Sequence, residues 1–369
     1  MNSGLEDVIA AETVLSDVDG LQGRLIIRGQ SLDDLVPGYR TEDCLKLLWD
    51  GFFDNVPSGQ TLQRALGTAR SKVFDHVEAI DCVLREMTPV EAVRALMARI
   101  PDGDDFDTAL QMVAAPAVFT PAFLRMKGGR QPIRPDSDLP HGADILRMLK
   151  ADMPAEADAK GLDTYLVTVS DHGLNASTFA ARVVASTQAG LTSSLLAAIS
   201  ALKGPLHGGA PGPVLDMLDA IGTAENAEDW LETALARGER LMGFGHRVYR
   251  VRDPRADALK NALRIMQEGE GGEDNARLRL AEAVERAAIA ALERRKPGRR
   301  LETNVEFYTA LLLERLGFPR EAFTCVFAMG RATGWVAHCR EQVRANKLIR
   351  PQSRYVGPAV YPQRAASGG

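Results

Sequence analysis

Apolar residues recur along most of this chain at helical spacing. Val90, Val93, Met97 and Ile100 stand three or four positions apart and mark one buried face. Thr88-Pro89-Val90-Glu91 before them has the form of a capping box with proline at the first helical position, and Pro101-Asp102-Gly103 ends the run. From about Asn175 to Leu202, Ala, Ser, Val and Leu fall on all sides, which predicts one buried helix or two in close approach. Asn304 is placed to cap a helix running to Leu316, with Gly317 just beyond its end, and Thr324 to about Arg344 predicts another. Only one region has strand character. Val14–Val18 and Leu25–Ile27 flank an Asp19-Gly20 turn signal and Gly23, predicting a short N-terminal β-hairpin, after which Ser31 can cap a helix with Asp33 and Asp34 in its first turn. The expected fold is mainly α with that single hairpin. Strands do not alternate with helices and no G-x-G-x-x-G follows a strand, so a dinucleotide-binding domain is excluded.

Composition refines this picture. The chain has 369 residues, enough for two or three domains, with 45% hydrophobic and 25% charged residues, as in ordinary globular proteins. With 44 basic and 49 acidic side chains the net charge is −5, which argues against nucleic acid as a partner. No segment reads as the roughly 20 apolar residues a membrane helix needs. The N-terminus lacks a basic region followed by an apolar one, and Cys44, Cys82, Cys325 and Cys339 form no C-x-x-C pair. These features lead us to expect a cytoplasmic protein without disulfides. The acidic, glycine-rich stretch Gly269–Asp274 reads as a surface loop whose carboxylates would repel phosphate.

The chemistry concentrates around three of the six histidines. His172, His207 and His246 each lie beside glycines, in Asp171-His172-Gly173, Leu206-His207-Gly208-Gly209 and Gly243-Phe244-Gly245-His246. Neighbouring glycines let backbone approach a ligand and leave N–H groups free to bond it, which a packed core histidine does not need. His76 and His338 fall in helical patterns and His141 in a polar stretch, so structural roles are expected for them. Arg247, Arg250, Arg252 and Arg255 crowd behind His246, Arg331 follows Gly330 and Arg350 precedes Pro351. Arginine suits bidentate recognition of carboxylate or phosphate, and a negative chain would need such a local cluster to draw in an anion. Metal binding is disfavoured, because no H-x-x-x-H, H-E-x-x-H or paired-cysteine spacing occurs, and the absence of G-x-S-x-G argues against a serine hydrolase.

Five segments in order resemble the citrate synthase family: Asp171–Phe179, Gly204–Ala210, Gly245–Tyr249 with Asp253-Pro254-Arg255, Asn304–Tyr308, and Gly330-Arg331 through Trp335–His338 to Arg350-Pro351. The resemblance implies a mostly helical fold with a large domain (residues 1–210 and 316–369) and a small helical domain (211–315), with the site between them. It implies condensation of acetyl-CoA, the co-substrate, with oxaloacetate to give citrate and CoA, with no metal and no permanently bound cofactor. By position, His207, His246 and Glu306 would be catalytic. His172, Arg255, Arg331 and Arg350 would hold the oxaloacetate carboxylates, and Arg250 would contact CoA phosphate. A homodimer is implied, with Arg350 reaching the partner's site. The chain departs from the family where the base, usually Asp, is Glu306, where Val169 replaces a frequent His, and where Pro211-Gly212 follows Ala210. A 2-methylcitrate synthase using propionyl-CoA, or a weakly catalytic binding paralogue, stays compatible with the same residues.

Overall fold

The computed structural model describes residues 4–5, 8–208, 211–246, 249, 251–269, 276–298 and 300–358. Within these the chain is α-helical apart from one small antiparallel sheet, β1 (Ser16–Asp19), β2 (Arg24–Ile27) and β3 (Gln30–Ser31), in that order. The hairpin pairs Ser16 with Ile27 and Asp19 with Arg24, and the sequence reading missed only the two-residue third strand. Asp19 builds the turn by accepting from the N–H groups of Leu21 and Gln22, at 3.0 and 2.9 Å. Ser31 then accepts from Asp34 N and starts the helix Leu32–Leu35.

Several predicted helix boundaries follow their capping chemistry. Thr88 and Glu91 form the capping box of Pro89–Met97. The Ala-rich stretch is two helices, Ala176–Ala185 and Leu191–Leu202, broken where Gln188 and Gly190 take positive φ. Asn304 caps Val305–Arg315, and the last long helix is Phe323–Ala345. The helix Phe106–Lys127 corrects the sequence reading of membrane segments. It is long and apolar enough to span a bilayer, but 89% of its apolar window is buried inside the protein. Its surroundings explain the composition: the helices Gly59–Phe74, Pro89–Met97, His141–Lys150, Leu191–Leu202 and Phe323–Ala345 pack around it, so it is apolar on every side.

His141 also departs from its reading. It is not in a polar loop but opens the helix His141–Lys150, fully buried, with Nδ1 accepting from Arg70 at 3.2 Å. Arg70 in turn bonds buried Asp144 at 2.8 Å.

The helices Pro211–Ile221, Ala227–Ala236, Pro254–Gly269, Ala276–Arg295 and Val305–Arg315 pack largely on one another. Pro254–Gly269 also lies along Glu156–Thr168, where a Cβ on Gly161 would stand 2.5 Å from Met266 Sδ. A second close crossing matters more for the site. On Phe323–Ala345, a Cβ at Gly330 would come within 2.5 Å of Val169 Cγ2, and one at Gly334 within 2.2 Å of the Ser170 carbonyl. These glycines press the helix bearing Arg331 against the segment that leads into His172. Gly334→Ala is expected to cost roughly 1–3 kcal/mol as an overpacked contact against backbone. The denaturant midpoint at unchanged m-value measures it, and an unshifted midpoint would mean the close contact is absent in solution.

Candidate active site

Helix starts and glycine turns set the site side chains. The loop Asp171–Leu174 turns at Gly173 (φ +60°) into the helix Ala176–Ala185, where Asn175 caps by accepting from Thr178 N at 3.1 Å. His172, half-buried, faces a second loop: its Nε2 lies 3.2 Å from Tyr249 Oη and its ring 5.8 Å from that of His246. Burial, then Arg255, Arg331 and His246, hold the His172 pKa well below its ordinary value.

The second loop runs from Gly243 into the helix Pro254–Gly269. Tyr249 N donates to His246 Nδ1 at 3.1 Å, and Arg255 Nη2 lies 3.3 Å from Nε2, so a donor meets each ring nitrogen and fixes the orientation of the imidazole. Arg255, 4% exposed, is gripped by Asp253 through Nε at 3.0 Å and Nη2 at 2.8 Å. Asp253 also accepts from Val305 N at 3.1 Å, tying this loop to the first turn of the helix that carries Glu306. The Glu306 carboxyl is raised from its ordinary pKa by burial, against the pull of Arg255 and Arg240.

His207 lies in a turn folded over the end of Leu191–Leu202, where Gly208 N bonds Leu202 O at 3.0 Å. Its Nε2 lies 2.9 Å from Ser177 Oγ and 3.3 Å from Ser177 N, in the first turn of Ala176–Ala185. Burial and then Arg331 lower the His207 pKa from 6.5 to about 4, and burial and then Arg255 do the same for His246. Arg331, 1% exposed, donates from Nε to Val169 O at 2.6 Å and stacks 4.8 Å above Phe327, which itself lies beside the His207 ring. Its buried Nη1 has no hydrogen-bond partner. Burial lowers its pKa to about 10.

The structure thus gathers His172, His246 and Arg255 in direct contact, places Arg331 within electrostatic reach of His172, Arg255 and His207, and links Glu306 through Asp253. Arg350 is not gathered. It is exposed, one residue beyond Ile349, whose N–H bonds Ser186 at the far end of Ala176–Ala185. About 15 Å of helix separates it from Ser177. Arg250 and Arg247 lie outside the described residues. Arg252 belongs elsewhere, paired with Glu285 at 3.0 Å and with Asp257.

A family model described as the citrate synthase C-terminal domain matches residues 4–352. The chain belongs to the citrate synthase family. It is 36% identical to the citrate synthase of Haloferax volcanii, with 97% of this chain and 96% of that one covered. It is 34% identical to a 2-methylcitrate synthase of Mycobacterium tuberculosis, with 97% and 91% covered. The structure of Thermoplasma acidophilum citrate synthase in ternary complex with carboxymethyl coenzyme A and oxaloacetate matches at a TM-score of 0.83 and 28% identity, over 99% and 98% of the chains.

For a citrate synthase family member the arrangement offers two neutral imidazoles, one carboxylate whose pKa burial raises, and two buried guanidiniums of which one has an Nη1 without a partner among the described residues. Such a site can bind a small dianion and stabilise negative charge on two separate oxygens. Sequence reasoning overlooked Tyr249, which touches both His172 and His246, and Ser177, Asp171 and Asp253, which orient the others. Asp253 alone carried a readable signal, as an acidic residue before Pro at a helix start. His338, expected to be structural, accepts from Arg182 at 3.0 Å and bonds Asp171 at 3.1 Å.

The histidines also predict a pH response of stability. Between about 6.5 and 4 the unfolded chain binds protons that folded His207 and His246 do not, so stability falls as pH is lowered through that window. Tm recorded from pH 7 to 4.5 should decline, with a shallower slope in a His207→Gln/His246→Gln variant. An equal slope in that variant would assign the effect to other groups.

Proposed function

We propose that this enzyme condenses acetyl-CoA with oxaloacetate and hydrolyses the resulting citryl-CoA to citrate and CoA. The observation that carries the reading is the unsatisfied Nη1 of buried Arg331, set among His172, Arg255 and His207. A buried charged donor left unpaired is costly, and a carboxylate would complete it. Arg331, Arg255 and His172 hold oxaloacetate. Glu306 takes a proton from the acetyl methyl while the ring N–H of His207 hydrogen-bonds the thioester oxygen and stabilises the enolate. The enolate carbon attacks the ketone carbon, and the ring N–H of His246 gives its proton to the ketone oxygen, which becomes the citryl hydroxyl. Water then attacks the thioester carbonyl: one water proton restores His246, the proton held by Glu306 leaves on the CoA thiol, and the new carboxyl group ionises to citrate. Arg250 would meet CoA phosphate. No step calls for a metal.

In this reading residues 211–315 form a small domain against a large one of 1–210 and 316–369, in a cytoplasmic homodimer. The exposed side chains of Leu348, Tyr355 and Val356 along the extended C-terminal arm support a covering partner, and the distance of Arg350 from its own site supports delivery to the other. Arg350→Ala and Glu306→Gln, each weak alone, should regain activity when mixed and allowed to exchange subunits, because a heterodimer holds one intact site. Absence of any gain at confirmed exchange would refute the shared site.

Thiol release from acetyl-CoA and oxaloacetate tests the function, and no release above background at high enzyme concentration would refute it. The 2-methylcitrate synthase relative motivates a second reading, in which propionyl-CoA is the acyl donor. One methylene is worth only about 1–3 kcal/mol in an apolar pocket, so the ratio of kcat/KM for the two donors decides between them.

A further inference from the structure

The N-terminal hairpin touches both loops that hold the proposed oxaloacetate ligands. On one side, Ser16 Oγ accepts from Gly173 N at 2.9 Å, and its hydroxyl lies near the Asp171 carboxylate. One hydroxyl therefore ties the residue directly after His172 to the hairpin. Val18, two residues along β1 on the same face, stands 3.5 Å from where a Cβ on Gly173 would lie. On the other side the turn of the hairpin meets the segment between His246 and Arg255. A Cβ on Gly23 (φ +64°) would lie 2.7 Å from Val251 Cγ2 and 2.9 Å from the Arg252 carbonyl. The helix Leu32–Leu35, which follows the sheet, packs on Pro254–Gly269, the helix that carries Arg255 in its first turn. Asp171 itself is boxed in from behind by His338 and by the close approach of Gly334. Ser16 is thus the contact that comes from the hairpin rather than from the helical body.

We propose that the hairpin is a strap across the substrate site and that Ser16 is a positioning residue, holding His172 in register with Arg255 for oxaloacetate. The inference rests on the reading of His172 and Arg255 as oxaloacetate ligands. Loss of the Ser16 hydroxyl frees the Gly173 amide, so the backbone directly after His172 loses its tie to the hairpin while Asp171 stays held by His338.

Oxaloacetate affinity measured by calorimetry on the full chain, without acyl-CoA, tests this apart from turnover. Ser16→Ala is expected to weaken oxaloacetate binding about tenfold, the scale of one hydrogen bond, and Ser16→Thr to restore it. KM for oxaloacetate should rise in parallel, while KM for acyl-CoA stays within about twofold. In a His172→Ala background Ser16→Ala should have little further effect, because the residue it positions is gone. An equal loss in both backgrounds, or unchanged affinity in Ser16→Ala, would overturn the proposal. If Ser16→Ala does not fold, Ser16→Cys, nearly isosteric but a weak donor and acceptor, takes its place with the same expectations. Failure of the wild-type chain to bind oxaloacetate would instead sink the reading of the site itself and this inference with it.

Discussion

Glu306→Gln is expected to lower kcat for condensation about 10³-fold while leaving oxaloacetate affinity within a few-fold. Positioned acid–base groups contribute about 10²–10⁴-fold, and an acetyl thioester methyl is too weak an acid to lose its proton to water at a useful rate. The amide keeps the shape of the side chain and removes its basicity, so the loss is in kcat and not in binding of the dianion. Glu306→Asp asks a different question. The family more often has the shorter acid here, and the helix start that presents Glu306 is fixed by Asn304 and by the Asp253–Val305 bond. If those anchors are set for Glu, shortening the side chain retracts the carboxylate by about 1 Å, a displacement that can cost roughly 100-fold. A fall of that order is expected. A large rise would mark the native enzyme as a weak catalyst by descent, in which binding matters more than turnover. The pH profile adds an independent readout. His207 and His246 stay neutral above about pH 5 because burial brings their pKa values to about 4. The acid limb of kcat/KM therefore follows Glu306, whose burial raises it, and should lie above the ordinary glutamate value of about 4.3. Quantified single-turnover rates for the two variants and the wild type would settle the role of this carboxylate.

Arg331→Met should weaken oxaloacetate binding about 10²–10³-fold, roughly 3–4 kcal/mol, and at the same time raise the Tm of the unliganded protein. The two effects have opposite signs for one reason. In the absence of substrate the guanidinium is fully buried, its Nη1 has no hydrogen-bond partner among the described residues, and the attraction of Asp171, partly cancelled by the repulsion of Arg255, does not make good the loss of water. Burying a charge in this way costs several kcal/mol. The bond it makes to Val169 O returns only about 1 kcal/mol. Methionine fills much of the same volume without the charge, so the empty fold gains while the substrate loses its main counter-ion. Thermal unfolding with and without oxaloacetate reads both halves. A lower Tm together with unchanged affinity would show Arg331 to be a structural residue and would remove it from the site.

Much of the helical frame was legible because its signals are local. Thr88, Asn175 and Asn304 each sit beside the amides they cap, and Gly317 sits where the preceding helix must end. The two misreadings share a cause. His141 and the helix Phe106–Lys127 both have partners far away in sequence, Arg70 for the first and a ring of helices for the second, and no local pattern reports them.

Residue order alone was enough to place the chain in its family and to single out the glycine-flanked histidines, because close backbone approach and capping are demands that each segment satisfies within a few residues. It could not orient the imidazoles, orphan a guanidinium or attach the hairpin to two distant loops. Those properties arise from contacts such as Ser177–His207, Tyr249–His246 and Ser16–Gly173, whose members lie 30, 3 and 157 residues apart. The charge state of a buried group depends on the dielectric and the dipoles around it, and these exist only once the helices have packed.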